Sequence, residues 1–466
     1  MKRILLLIFS LYSSLAFSQR VCSCEKSMEE LVQLMENKYP GFQEKTKDKL
    51  LYNNFKNNLI ETSKKTKSED CLNILQNYTS FFKDKHVFFL DESNYLTLSK
   101  YEKKENQKLN NNTLKKIIKT KDSLEGIWVN KDYRVAIVSS SNKGYNGIVI
   151  SSKNDFWKPN DVLFKIDNNR GLKYYNSDLT YYNDNFKQID ECTIQLEKLR
   201  TYFVKDKSNN LVQSEINDRI NRLEGFYVEK ITPKTTLIRI KSFDYPFVER
   251  IKNLVLSNKE LIENSENLII DIRENGGGTT NAFKPLLPYI MTGSTRELNV
   301  EYLATDFLIS GLNNYIKTIP NDEKNKEDRE RIIGYIKKYE KNLGEFVLNP
   351  NAKEIEITKH EISNKSPKQV IFLADNGVGS SAESLLLLAK QSKKVKVIGT
   401  PTLGVLDYAS ARITNYDCND VKIVLPTYRS LRLPDYPIDN IGIQPDIYMD
   451  KTEKDWVKFA TEYLEN

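Results

Sequence analysis

The spacing of apolar positions changes twice along the chain, and each change predicts a different kind of structure. From about residue 25 to 120 the sequence is rich in Lys, Glu, Asn and Leu. Apolar residues such as Leu31, Leu34 and Met35 recur there at helical spacing, which predicts a helical region over 19–122. Within it, Tyr78 to Phe89 reads as a helix end, a polar turn Lys83-Asp84-Lys85-His86, and an apolar strand. From Leu124 to about Val204 short β-type runs alternate with turns: Gly126–Val129, Tyr133–Val138, Tyr145–Ile150 and Val162–Ile166. They predict a β-rich module, a meander or small barrel, over 123–224.

A third texture begins near Thr235. Thr236–Ile240 and Leu268–Asp271 read as strands flanking a helical face from Val248 to Ile262, carried by Val248, Ile251, Leu254 and Val255. The series continues with a strand Val370–Ala374, a helix from Leu385 to Ala389 and a strand Val395–Ile398. Such alternation predicts a mainly parallel sheet over 225–466. A charged helical insertion at about 303–345 interrupts it, and a turn-rich loop, Tyr436 to Asp446, precedes a closing strand and helix.

At 466 residues the chain has room for about three modules. Residues 1–18 read as a signal peptide: Lys2-Arg3, an apolar run from Ile4 to Phe9, and a small-residue site Ala16-Phe17-Ser18. This predicts export to a periplasmic or extracellular space. Gln19-Arg20-Val21 before Cys22 lacks the small and apolar pattern that lipid attachment needs. No later segment is apolar for long enough to span a bilayer. Taking Lys2 and Arg3 from 70 basic residues leaves 68 against 63 acidic ones, a net charge of +5. That charge is dispersed, with no basic stripe for nucleic acid. Cys22, Cys24, Cys71, Cys192 and Cys418 make an odd count; a bridge from Cys71 to Cys22 or Cys24 is compatible with the spacing, and sequence does not assign it. No zinc-type spacing appears, and neither a metal nor an organic cofactor is expected.

Chemistry concentrates where the strand at Val370 turns into the helix at Leu385. The turn, Gly377-Val378-Gly379-Ser380-Ser381-Ala382-Glu383, would expose a hydroxyl at the sheet's carboxyl end beside the N–H groups of a helix start. An N-cap serine is the plainer account of Ser380. A nucleophilic serine needs a base, an orienting group and oxyanion donors. The loop Arg273-Glu274-Asn275-Gly276-Gly277-Gly278-Thr279 offers backbone without Cβ atoms, so Gly278 and Ser381 are the candidate oxyanion N–H groups. It lacks the spacing of a P-loop or a dinucleotide loop. Lys390 is ten residues past Ser380, roughly 15 Å along a helix, too far to act as its base. Of the two histidines, His360 lies in a strand-like run, Ile355 to Ile362, and His86 in a polar turn.

Three ordered blocks point further. Leu268–Gly278 resembles the strand and glycine loop of the C-terminal-processing (tail-specific) serine peptidase family. Ser380–Glu383 with Val397–Gly404, and Ile441–Asp446, are similar to its later motifs. The resemblance covers about 225–450 and implies an α/β fold, a crotonase/ClpP-like peptidase core joined to the helical region and the β-rich module. It implies a peptide or protein substrate and Ser380 as nucleophile. Val405 stands where the family's Ser-Lys members carry lysine, so the likeness turns to the tricorn-type branch, which uses histidine. Asp84-Lys85-His86 resembles that branch's Asp-Gly-His element, and Asp439 matches the place of its glutamate. The transfer makes His86 the base and Asp439 the orienter, with Ser80 an alternative acceptor. No glycine-bearing carboxylate loop marks the β-rich module as a PDZ domain. A non-catalytic peptide-binding protein of the same fold and an ester or thioester hydrolase are the rival expectations.

Overall fold

The computed structural model describes residues 23–90, 98–99, 102–140, 144–207, 211–415, 421–450 and 452–466. The expected signal peptide, Cys22 and Cys418 lie outside these residues. Two compact units divide the chain, one formed by 1–90, 301–351 and 408–429, the other by 91–300, 352–407 and 430–466. The division cuts across sequence order, because the helical insertion joins the N-terminal helices in one unit.

In the first unit the helices Cys24–Lys38, Lys49–Ser63 and Cys71–Ser80 bury Met28, Leu31, Met35, Tyr52, Leu75 and Tyr78, the helical stripe expected from the spacing. Ser23 and Asp48 cap the first two, accepting from N–H groups three residues on. A disulfide joins Cys24 to Cys71, with Cα atoms 5.3 Å apart. Strand Phe88–Leu90 pairs antiparallel with Lys422–Leu425, which pairs with Arg412–Asn415. The insertion forms an antiparallel helix pair, Asp306–Thr318 and Lys326–Glu340, around Leu308, Leu312, Ile332, Ile336 and Tyr339.

In the second unit the β-rich module is a barrel. Eight strands between Gly126 and Lys205 close on themselves through the pairing of Tyr181–Asp190 with Thr193–Leu196. Closure removes the exposed edges that a meander would leave. Period-2 alternation sorts the strand Gly126–Val129. Trp128 joins Phe164, Phe186 and Phe203 in one cluster. Ile127 and Val129 join Ile216 and Ile220 of a covering helix, Gln213–Glu224, in another. Both faces are therefore buried, which explains a run with no polar interruption.

The core sheet has six strands in sequence order: β1 (Phe226–Lys230), β2 (Thr235–Ile240), β3 (Asn267–Asp271), β4 (Gln369–Ala374), β5 (Val395–Gly399) and β6 (Ile447–Tyr448). β1 runs antiparallel to β2, and every other neighbouring pair is parallel. Alternate residues serve opposite faces. Ile238, Ile270 and Phe372 pack with Ile251 and Val255 of α1 (Val248–Ser257) and with Leu385 and Leu386 of α2 (Ser381–Ala389). Leu237, Ile269 and Leu373 pack with Ala460 and Leu464 of α3 (Trp456–Glu465). A parallel sheet covered on both faces needs such uniformly apolar strands. The helical face expected to run unbroken from Val248 to Ile262 is two helices, since the chain leaves helical geometry at Asn258 (φ −111°, ψ 18°) before Lys259–Glu263.

Candidate active site

Buried polar groups tie the loops that follow β3, β4 and β5 at the carboxyl end of the core sheet, starting where β3 ends. Asp271 accepts from Arg239 Nη1 at 2.9 Å and from Arg273 through Nε (2.9 Å) and Nη2 (2.7 Å). Burial opposes the Arg273 charge, but the Asp271 carboxylate outweighs it and holds the guanidinium above its ordinary pKa. The glycine loop follows. Asn275, fully buried, donates to Ile240 C=O (3.1 Å), and its side-chain oxygen accepts from Gly277 N–H (3.0 Å). Its carbonyl accepts from Gly379 N–H at 3.0 Å, and Asp375 Oδ1 accepts from both Glu274 N–H (2.8 Å) and Gly377 N–H (3.0 Å). The glycine loop and the serine turn are therefore one bonded assembly.

Glycine is required at the closest point. Gly277 has φ +98°, and a Cβ there would lie 2.6 Å from Gly379 O and 2.9 Å from Ser380 Cβ and Ser381 N. Gly278 pairs in parallel with Phe243: Phe243 N–H donates to Gly277 C=O (3.1 Å) and Thr279 N–H to Phe243 C=O (2.9 Å). That pattern consumes the groups on either side of Gly278 and leaves its own N–H uncommitted. Ser381, as the first residue of α2, likewise has no intrahelical acceptor for its N–H. Among the described residues neither N–H has a protein partner.

Ser380, whose Cβ lies 2.9 Å from where a Cβ on Gly277 would be, has φ 54° and ψ −121°, a conformation that L-residues avoid. The glutamate half of a capping box is present, Glu383 accepting from Ser380 N–H, while no hydrogen bond from the first turn of α2 to the Ser380 hydroxyl is found among the described residues. The strain is held by Glu383, which is fully buried. Its Oε2 accepts from Ser380 N–H (3.1 Å) and Val405 N–H (3.0 Å); its Oε1 accepts from Gly404 N–H (2.8 Å) and the Thr402 hydroxyl. Thr402 Oγ1 in turn accepts from Ile443 N–H at 2.7 Å. Ser380–Glu383, Val397–Gly404 and Ile441–Asp446 thus each contribute one member of a single relay. The roles of Glu383 and Thr402 escaped the sequence reading, although Ser380-x-x-Glu383 is the spacing of a capping box.

Asp439 belongs to the same bonded system. Its Oδ1 accepts from Leu406 and Asp407 N–H, both at 2.8 Å, while Asp407 Oδ2 accepts from Ile438 and Asp439 N–H, also at 2.8 Å. Arg432 Nη2 completes the exchange on Asp407 Oδ1 at 3.0 Å. The Val405 side chain lies 2.9 Å from where a Cβ on Gly379 would be. Lys390 forms an ion pair with Asp446 beyond the far end of α2. His360 is engaged by Thr295 Oγ1 at 2.7 Å.

Ser380, Ser381, Gly278 and Asp439 fall in the second unit, and His86 falls in the first. His86 is half-buried in the turn before Phe88–Leu90, and its N–H donates to Asp84 Oδ1 at 2.8 Å. Asp84 is buried and accepts from the Tyr39 hydroxyl at 2.8 Å. Ser80 donates its hydroxyl to Asn77 C=O at 2.6 Å. Among the described residues no helix is long and apolar enough to cross a membrane, and no His, Cys, Asp or Glu cluster could hold a metal ion.

Among solved structures the chain is similar to mature CPAF (12% identity, TM-score 0.48), covering 91% of this chain and 93% of that one. It is also similar to the photosystem II D1 C-terminal processing protease (11%, TM-score 0.39; 92% and 94% covered) and to the tricorn protease (12%, TM-score 0.40; 95% and 36% covered). No curated protein sequence matches it. Residues 234–449, which build every loop of the assembly around Ser380, match the model of peptidase family S41.

Proposed function

We propose that the protein is an exported serine endopeptidase of the histidine-based, tricorn-type branch. Ser380 Oγ attacks the scissile carbonyl, and the N–H groups of Gly278 and Ser381 receive the charge that develops on its oxygen. His86 takes the hydroxyl proton and returns it to the leaving amine, with Asp439 orienting the imidazole; water then hydrolyses the acyl ester on Ser380. The observation that supports this reading is the strained backbone of Ser380 beside the glycine loop, with the N–H groups of Gly278 and Ser381 uncommitted among the described residues. Strain of this kind costs on the order of 1–3 kcal/mol and persists where a site needs it.

A fluorophosphonate probe tests it. The expected result is covalent labelling that disappears in Ser380→Ala and slows at least ~10²-fold in His86→Ala. Labelling that persists in Ser380→Ala would overturn the nucleophile, and an undiminished rate in His86→Ala would overturn the base. Val405, apolar at the family's lysine position, favours one other reading, a peptide-binding protein without catalysis. Total absence of labelling together with measurable peptide binding would support it.

A further inference from the structure

A cleft of about 570 Å³ opens onto the glycine loop. One wall carries Gly276–Gly278 and Asp244; the opposing wall is the barrel turn between Thr193–Leu196 and Thr201–Lys205, with Glu197 and Arg200. Phe247 adds apolar surface. Most charges in the cleft are spent on one another. Lys241 pairs with Glu274 at 2.9 Å, and Arg250 pairs with Glu224 at 2.6 Å while lying over the Phe226 ring. Glu197 and Arg200 share one tight turn, closed by Arg200 N–H donating to Glu197 C=O at 3.2 Å, and nearly cancel in net charge.

Asp244 is different. It is exposed, and among the described residues its carboxylate has neither an ion pair nor a hydrogen bond. It also stands next to the candidate oxyanion donor: Phe243 pairs with Gly278, and a Cβ on Gly278 would lie 2.5 Å from Asp244 N. Gly278 N–H faces away from Phe243, and neighbouring strands are about 4.8 Å apart, so a peptide whose carbonyl rests on it runs two spacings, roughly 10 Å, from the Asp244 backbone, a span that an extended lysine or arginine side chain and the Asp244 side chain bridge together.

We propose that this cleft receives the substrate chain on one side of the scissile bond and that Asp244 selects lysine or arginine there, with the barrel turn at 197–200 as the opposing lip. The aliphatic stem of such a side chain would lie on Phe247 and its cationic head on Asp244. Its identity as a substrate channel rests on the peptidase reading of Ser380; the charge preference is measurable without turnover. The mature chain is itself positively charged, so non-specific attraction would favour acidic peptides instead.

The test uses the full chain carrying Ser380→Ala and two fluorescein-labelled, alanine-rich decapeptides, one with lysine at alternate positions and one with glutamine. The lysine peptide is expected to bind about fivefold more tightly at low salt and to lose that advantage as salt rises. Adding Asp244→Asn should abolish the difference, and Arg200→Gln should widen it. Equal binding of the two peptides, or a preference unchanged by Asp244→Asn, overturns the proposal. Fluorophosphonate labelling of the wild type reads the peptidase assignment separately: labelling without the preference sinks the specificity, and an Asp244-dependent preference without labelling sinks the peptidase.

Discussion

The two ends of the core sheet are built from the same strands and behave differently. At the amino end, buried polar residues satisfy one another in relaxed geometry: Thr236 bonds Ser265 at 2.6 Å, and Asn267 donates to Thr235 at 3.3 Å. No described residue in the turns leading into β2, β3, β4 or β5 has positive φ. At the carboxyl end, Glu274, Gly277, Gly278, Ser380, Gly404, Asn440 and Gly442 all do. Strain confined to one end of a sheet, and there braced by Asn275, Asp375, Glu383 and the Asp407–Asp439 exchange, marks the end at which backbone N–H groups are presented rather than satisfied.

Substitutions can break this contrast. The largest effect is expected for Glu383→Ala, which strands the N–H groups of Ser380, Gly404 and Val405 and the Thr402 hydroxyl in the interior. A loss of about 3–5 kcal/mol in denaturant unfolding is expected, together with loss of probe labelling. A smaller loss would mean that water or relaxation replaces the carboxylate. Next comes Gly277→Ala, expected to cost about 2 kcal/mol and to slow labelling, because the new methyl meets Gly379 O and the backbone strongly disfavours it. Gly276→Ala, where a Cβ meets nothing within 4 Å, serves as the paired control and should leave both readouts nearly unchanged.

At the relaxed end, Thr236→Val removes one buried hydroxyl pair and should cost about 1 kcal/mol without altering labelling. A change in labelling there would show that the two ends are coupled. The smallest effect concerns Lys394, also at the amino end, where burial pushes the ammonium down to about 8. The unfolded chain then binds more protons than the folded one between about pH 8 and 10.5, so Lys394's contribution to stability improves as pH rises through that window. Lys394→Met should therefore raise the melting temperature relative to wild type most at neutral pH, with the difference shrinking towards pH 10.5. A pH-independent difference would reject burial as the cause.

Much of the candidate site has a local signature in the sequence. Ser380 and Gly278 could be placed from an apolar strand, a glycine-bearing turn and a helical stripe, all within a dozen residues. The role of Glu383 was not legible, since its bonds to Thr402, Gly404 and Val405 connect loops whose proximity depends on β4 and β5 lying side by side. Asp439 was picked out by motif position alone. That its carboxylate gathers Leu406 and Asp407 N–H while Asp407 does the same in return has no sequence signature. The barrel illustrates the same limit: alternating runs are compatible with an open meander, and only the pairing of the strands at Tyr181 and Thr193 closes it.

By itself the sequence determined the kinds of element, the strand-to-helix turn at Ser380 and the glycines opposite it, because periodicity, backbone permissiveness and residue identity are local properties. Tertiary structure alone decided which donors each buried carboxylate collects, and that the wall facing Asp244 comes from the barrel. Those outcomes depend on strand order and on which loops the sheet gathers at its carboxyl end, and residues far apart along the chain acquire a shared environment only once the sheet has formed.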